Sequence, residues 1–370
     1  MRYYLIAGEA SGDLHGGNLI RSLAAEDPAA EFRFWGGDQM AAACGHAPVV
    51  HYSECAVMGL GDILKKLGKL AGNVRRCKKD IAEWRPDVVI PIDYPGMNLR
   101  IAHFCHDSGF KVFYYIAPKT WASRPRRNRS IKAWVDRLFI VFPFEVPYFT
   151  KAGIPVTYKG NPLLDAIDAH RWMRPCEGEY VALLPGSRKS EISHTLPVCM
   201  EAFDRLGMDV VIAGAPSMHP SEYEPLIGGR KNVRLVFGRT YDVLKYARCA
   251  VVNSGTASLE AAIIGTPQVV CWSTDALTYF GMRRISKVQN HVKYISLGNL
   301  CLDRLAFREL IQDAFTPDAV CDEVRRLWLD EEYRAAMQND YARIRETLGQ
   351  PGASRDIARA MIEELQNPII

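Results

Sequence analysis

The ten cysteines of this sequence never come as a C-x-x-C pair. Zinc sites and disulfide frameworks both need clustered sulfur, so scattered, reduced and mostly buried thiols are expected. The densest grouping, His103, Cys105 and His106, falls in a predicted helix and reads as packing, so no metal is expected. Also absent is any apolar run near the ~18–20 residues that span a bilayer. The N-terminal MRYYLIAGEA is short, and Glu9 and Asp13 follow where a signal peptide would place small residues, so a cytoplasmic protein is expected. G-x-x-x-x-G-K-[ST] is missing, which argues against a P-loop nucleotidase, and no strand is followed by G-x-G-x-x-G. No D-x-D is present to hold a metal against a diphosphate. Acids are missing from one stretch, APKTWASRPRRNRSIK, which carries Lys119, Arg124, Arg126, Arg127, Arg129 and Lys132. Such a patch attracts phosphates or anionic lipid heads, and a solvated loop is the simpler reading of the charge run alone.

What is present describes a folded protein of two domains. The chain has 370 residues, 48% hydrophobic and 24% charged, with a net charge of +4. In the first half RYYLIA, FRFWGG, PDVVIPID, KVFYYIAP and DRLFIVF read as strands alternating with helices, one of them from about Leu14 to Ala25. In the second half YVALLPGS, MDVVIAGAP, VRLVFG, CAVVNSG and PQVVCW repeat the grammar. Continuous apolar strands between amphipathic helices predict parallel sheets covered on both faces. The expected fold class is therefore α/β, two doubly wound Rossmann-like domains with a cleft between them and ligands at the carboxyl ends of the strands. The turn-rich KGNPLLDAIDAHRWMRPCEGE marks the boundary: residues 1–165, then 176–348, then a tail of 349–370. A helical stretch from Thr316 to Leu348 and a helix from Ser354 to Leu365 close the chain. The last is expected to pack back on the first domain.

Three turns carry candidate chemistry. In CAVVNSGTASLE a buried strand ends at Asn253, Ser254 and Gly255 turn, and a helix begins near Thr256. Its free N–H groups and dipole suit an anion, and Glu260 lies where it could accept ribose hydroxyls; an ordinary capped turn is the equal alternative. In LLPGSRKSEI, Gly186 and Ser187 turn before Arg188, which either reaches a phosphate or pairs with Glu191. In VVIPIDYPGMN, Asp93 stands just past a strand, either as a general base raised by partial burial or as a turn cap. The opening LIAGEASGDLHG looks like a phosphate loop spoiled by Glu9 and Asp13. A basic amphipathic helix, with Ile63, Leu64, Leu67 and Leu70 along one face, could lie in a membrane interface or pack on the core.

AGEASGDLHG, MGLGDIL, PIDYPGMN, APKTWA with its arginines, PFE at 143–145, LLPGSR and NSGTASLE, in that order, resemble the lipid-A-disaccharide synthase family over essentially the whole chain. The resemblance implies a GT-B-type glycosyltransferase, metal-independent and inverting, with no cofactor. It implies transfer from UDP-2,3-diacylglucosamine to the 6-hydroxyl of 2,3-diacylglucosamine 1-phosphate (lipid X), giving the β-1,6 disaccharide phosphate and UDP. By motif, Asp93 is the base, and Glu9, Ser11, Asp13 and Asn98 line the acceptor side. Gly186, Ser187, Arg188, Ser254, Gly255, Thr256 and Glu260 hold the UDP-sugar, helped by Asn299, Glu309 and Gln312. Ile63, Leu64, Leu67, Leu70, Arg124, Arg126 and Arg127 would meet lipid, with the protein peripheral to the anionic inner-membrane surface. No nucleic-acid partner is implied. Three departures stand out. K-G-N-P places Asn161 where the family often has histidine, D-Y-P-G-M-N lacks the second acid of D-x-P-D-F-N, and Ser123 replaces a tryptophan.

A UDP-N-acetylglucosamine 2-epimerase would use the same fold but has no use for a basic apolar helix. A murein-pathway transferase would carry a different glycine loop. A non-catalytic lipid or nucleic-acid binder leaves Asp93 and two anion-binding turns unexplained, and lacks interleaved aromatics.

Overall fold

The computed structural model describes residues 1–55, 63–275, 279 and 293–367, with no side chain described at 55 or 63–67. The chain divides into two compact units, Met1–Asp165 with Gln350–Ile370, and Ala166–Gly349. In the first, the strands are β1 (Arg2–Ala7), β2 (Glu31–Gly36), β3 (Val50–His51), β4 (Val88–Ile92), β5 (Lys111–Tyr115), β6 (Arg137–Ile140) and β7 (Val156–Tyr158). They form one sheet in the order β3-β2-β1-β4-β5-β6-β7, every neighbouring pair parallel. In the second, β8 (Val181–Leu184), β9 (Val210–Gly214), β10 (Val233–Phe237), β11 (Cys249–Asn253), β12 (Gln268–Trp272) and β13 (Glu309–Ile311) run β10-β9-β8-β11-β12-β13, again all parallel. Each sheet starts in its middle, winds outward, then reverses across its first strand. That reversal opens a crevice at the carboxyl ends of the strands. Two such units are the GT-B architecture.

The apolar runs explain why these segments are strands. β4, β8, β9 and β11 are buried along their whole length, as parallel strands covered on both faces must be. Pro91 is an exception that the sheet accommodates. Val88, Val89 and Ile92 of β4 have partners on β5, whereas Ile90 and Pro91 have none. A proline nitrogen has no hydrogen to donate, so the ladder skips it.

β3, β7 and β13 were not foreseen, because two or three half-polar residues leave no apolar run. The first helix begins at Ala10, not near Leu14, so Gly12 and Gly16 lie inside a helix and Gly8 just before it. The stretch from Thr316 to Leu348 is two helices, Pro317–Leu329 and Glu331–Thr347. Asp330 breaks it, its carboxylate accepting the Tyr333 N–H at 2.9 Å as an N-cap. The helix Ala353–Gln366 belongs to the first unit and packs on Ala10–Glu26. Ala353, Ile357, Ala358 and Met361 supply its buried stripe. Glu26 pairs with Arg355 and Arg359, Arg137 with Glu364, and the Asp165 carboxylate accepts the Gly352 and Ser354 N–H groups.

Among the described residues no helix is long and apolar enough to cross a membrane. In the helix Ile63–Trp84, Leu70, Val74, Cys77 and Ile81 pack against the first unit's core. Leu70 is thus partly committed to the protein interior, which corrects its expected place on a lipid-facing stripe. The side chains of Ile63, Leu64 and Leu67, and the MGLGD of the preceding motif, lie outside the described residues.

Candidate active site

β4 ends at Ile92, and the chain then turns through two consecutive left-handed residues, Asp93 (φ 41°) and Tyr94 (φ 46°). For residues with a Cβ this costs on the order of 1–2 kcal/mol each, so the surroundings must enforce it. The Asp93 carbonyl accepts from Asn98 Nδ2 at 2.7 Å and from the Tyr114 hydroxyl at 2.5 Å, and its N–H donates to Tyr115 O at 3.1 Å. The Tyr94 ring lies against Gly8, where a Cβ would come within 2.3 Å of it. Gly8 is glycine for that close approach and not for a phosphate.

The Asp93 carboxyl is half-buried and pushed up to about 6. Burial is the main cause; Lys119 pulls it down, Glu9 pushes it up, and the Tyr94 N–H and Arg127 pull it down further. Glu9, Asp93, Lys119 and Arg127 therefore share one neighbourhood. Ser11 Oγ donates to Glu9 Oε1 at 3.0 Å and is exposed.

Two residues expected on the acceptor side have other work. Asp13 is 3% exposed, and its carboxylate accepts from Gly37, Gln39 and Met40 N–H groups at 2.6, 3.0 and 3.2 Å. It clamps the turn after β2 and offers no oxygen to a sugar. Asn98 is fully buried, its amide donating to the carbonyls of Ile6, Ile92 and Asp93. It shapes the Asp93 turn from beneath. Asn161, at the position where the family often has histidine, is likewise committed: Nδ2 donates to Val141 O, and Oδ1 accepts the Leu163 N–H.

Glu145 was not foreseen as a site residue. It is 1% exposed, and burial pushes it up to about 7. Its Oε1 accepts the Trp121 indole N–H at 3.1 Å and its Oε2 the Phe142 N–H at 3.3 Å. Of the basic run, Arg124 and Arg126 are exposed, while Arg127 is half-buried beside Asp93. Arg127 therefore lies within electrostatic reach of both the acid and Arg124 of the outer patch.

In the second unit, the two anion-binding turns end neighbouring strands. β8 and β11 pair directly, with Leu184 opposite Val252. Asn253 ties their ends together, Nδ2 donating to Pro185 O at 3.2 Å and Thr195 Oγ1 at 2.8 Å. The turns differ in one respect. At the start of the helix Lys189–Leu206, Glu191 folds back to accept the Ser187 and Arg188 N–H groups at 2.8 and 3.2 Å, and pairs with the Arg188 guanidinium at 3.0 Å. This capping box occupies the donors expected to meet phosphate. The helix Thr256–Ile264 begins after Ser254 and Gly255 with no side-chain cap. Its first-turn N–H groups keep their partial positive charge for a ligand. Glu260, one turn in, is pushed up to about 7 by burial and hydrogen-bonds with Tyr241.

Asn299, Glu309 and Gln312 all hold the backbone around the second turn, and burial makes Asn299 a support rather than a direct ligand, which corrects the expectation for it. Asn299 is fully buried, donating to Phe307 O and Glu309 Oε1 and accepting from Ala306 and Phe307. Glu309 accepts the Ile295 and Ser296 N–H groups. The Gln312 amide bonds the Thr274 backbone twice, at 3.1 and 2.7 Å. Through Ile295 O, which accepts from Ser254 Oγ at 3.3 Å, this network supports the uncapped turn.

A family model described as lipid-A-disaccharide synthetase matches residues 3–363. The lipid-A-disaccharide synthase of Trichlorobacter lovleyi is 35% identical over 379 residues, covering 99% of this chain and 98% of that protein. That of Geobacter metallireducens is 35% identical over 378 residues, covering 98% and 97%. Among solved structures, a putative UDP-N-acetylglucosamine 2-epimerase from Listeria monocytogenes is similar with a TM-score of 0.71 at 12% identity, covering 100% of this chain and 97% of that one. The UDP-GlcNAc 2-epimerase from Neisseria meningitidis, bound to UDP-GlcNAc, gives 0.69 at 13%, covering 98% and 100%. At such low identity these two share the fold alone. The family match spans nearly the whole chain, and the synthases are a third identical over almost their full length: this chain belongs to the lipid-A-disaccharide synthetase family.

Proposed function

We propose that Asp93 is the general base in the transfer this family performs. 2,3-Diacylglucosamine passes from UDP-2,3-diacylglucosamine to the 6-hydroxyl of 2,3-diacylglucosamine 1-phosphate. The products are the β-1,6-linked disaccharide 1-phosphate and UDP. The single observation that carries the assignment is the Asp93 turn: a strained, half-buried carboxylate at a strand's carboxyl end, raised to about 6 and flanked by Lys119 and Arg127. Such a group is ionised at neutral pH yet basic enough to take a hydroxyl proton. As it does so, the 6-oxygen attacks the donor's anomeric carbon and the bond to UDP breaks on the opposite face, which inverts that centre. Glu9 and Ser11 offer acceptors for sugar hydroxyls.

The leaving diphosphate carries the developing charge. The uncapped N-terminus at Ser254–Thr256 is suited to meet it, with a helix end worth roughly half a positive charge. Arg188 would join it by exchanging Glu191 for phosphate, while Gly186 and Ser187 form the turn that presents it. Glu260 would accept ribose hydroxyls. Arg124, Arg126 and the apolar start of the helix Ile63–Trp84 would hold the protein at an anionic membrane surface, where both acylated substrates reside. Replacing Leu64 and Leu67 with serine should weaken binding to anionic vesicles without unfolding the protein. Unchanged binding would remove the helix as the anchor.

The test of the catalytic reading is Asp93→Asn with both acylated substrates. Turnover should fall by about 10²–10⁴-fold while UDP still binds. Near-normal disaccharide formation would remove Asp93 as the base. An epimerase would leave no disaccharide in the same assay.

A further inference from the structure

We propose that Glu145 is a positioning residue for Asp93, holding through Trp121 the cation-bearing segment that flanks the base. The inference rests on the reading of Asp93 as the base. The segment leaves β5 at Ile116, itself left-handed (φ 60°), and passes a second left-handed residue at Arg124 (φ 55°). Between them stand Lys119, exposed, and Thr120, buried. No strand or long helix holds this stretch, so its shape depends on anchors. One of them is Trp121. Its indole N–H donates to Glu145 Oε1, and its ring meets Phe144 edge-on at 5.1 Å, which in turn stacks on Phe142 at 5.3 Å. Glu145 holds both parts at once, since its second oxygen accepts the Phe142 N–H.

The chemistry of Glu145 argues that this link is used. An interior carboxylate is costly, and Glu145 has no salt bridge among the described residues to offset it. What faces it is a set of donors: the Trp121 indole, the Val141 and Phe142 N–H groups, and the Lys119 charge. An ionised carboxylate accepts from all of them, whereas a protonated one must turn a hydrogen toward other hydrogens. The groups facing Asp93 are Lys119, Arg127, Glu9 and the Tyr94 N–H. Lys119 acts on both acids, which makes the segment between them the path of influence. If Trp121 lets go, Lys119 is no longer held near Asp93, and the base loses a charge that favours its ionised form.

The experiment uses the full-length enzyme with both acylated substrates. The acid limb of kcat/KM is followed in Trp121→Phe, Glu145→Ala and Glu145→Gln. Trp121→Phe keeps the ring contact with Phe144 and removes only the donor, so it remains folded and informative if Glu145→Ala does not. In Trp121→Phe and Glu145→Ala the limb should move up by about half a pH unit, a roughly threefold loss of rate on the acid side. In Glu145→Gln, which still offers the indole an oxygen, it should stay near the wild-type position. A second readout is the Trp121 indole N–H resonance, identified by its loss in Trp121→Phe. It should shift with a midpoint of about 7 in the wild type and stay fixed in Glu145→Gln. An unmoved limb in folded Trp121→Phe, or an indole signal that behaves alike in both proteins, overturns the proposal. Normal turnover by Asp93→Asn would instead sink the base assignment itself, and this proposal with it, whatever the Glu145 variants do.

Discussion

Asp93 ties the chemistry to pH with a definite sign. Burial raises its folded value to about 6, above the ordinary 3.8, so the folded protein holds this proton more tightly than the unfolded chain. Its contribution to stability is therefore fully present below about pH 4 and is lost as pH rises through about 6. Activity moves the other way, because only the carboxylate can accept a proton. kcat/KM should drop roughly tenfold per unit below about pH 6, and a flat profile down to pH ~5 would exclude Asp93 as the base. Gly8 supplies a second prediction at this scale. Gly8→Ala places a methyl inside the Tyr94 ring, so it should push Tyr94 and the Asp93 turn out of place. A loss of turnover with UDP binding intact is expected; normal turnover would show that the turn tolerates the shift. Residues such as Asp93 and Arg188 could be singled out as candidates in the sequence because each is a polar group just past an apolar run. Asp13, Asn98 and Asn299, all buried, were not correctly legible. A motif marks an invested polar group but not whether it holds a substrate or a turn. Glu145 and Tyr241 were missed because their partners, Trp121 and Glu260, meet them only in three dimensions.

The elements show the same division. Long apolar strands could be read directly, as in VVIPI and CAVVN, while the edge strands β3, β7 and β13 carry too few apolar residues to announce themselves. Helix starts were harder, because a cap is decided by which side chain folds back. The contrast between Lys189–Leu206 and Thr256–Ile264 makes this testable. Glu191→Ala removes the capping box and should cost about 1 kcal/mol of stability, measured by denaturant unfolding. It should leave UDP affinity unchanged or tighter, because Arg188 no longer has to leave a carboxylate. A tenfold or greater loss of affinity, measured by calorimetry, would mean that Glu191 supports the bound state instead.

At the scale of the molecule, the two domains and their parallel sheets were legible from the repeated strand–helix grammar. The unit boundary at Asp165 and Ala166 falls within the turn-rich stretch. The tail helix Ala353–Gln366 completes the first unit, so removing residues 350–370 should destabilise that unit while the second still binds UDP. Met361→Ala, at a fully buried position, should cost about 2–4 kcal/mol by the same unfolding measurement. An unchanged unfolding midpoint would show that the helix only rests on the surface. The discontinuity also sets an order of events in time. During synthesis residues 1–165 emerge first, yet the helix that covers Ala10–Glu26 is made only after all of 166–349. The second unit has every residue it needs while the first is still waiting. The unit that carries Asp93 is therefore the last to close, with its uncovered helix exposed for as long as the rest of the chain takes to appear.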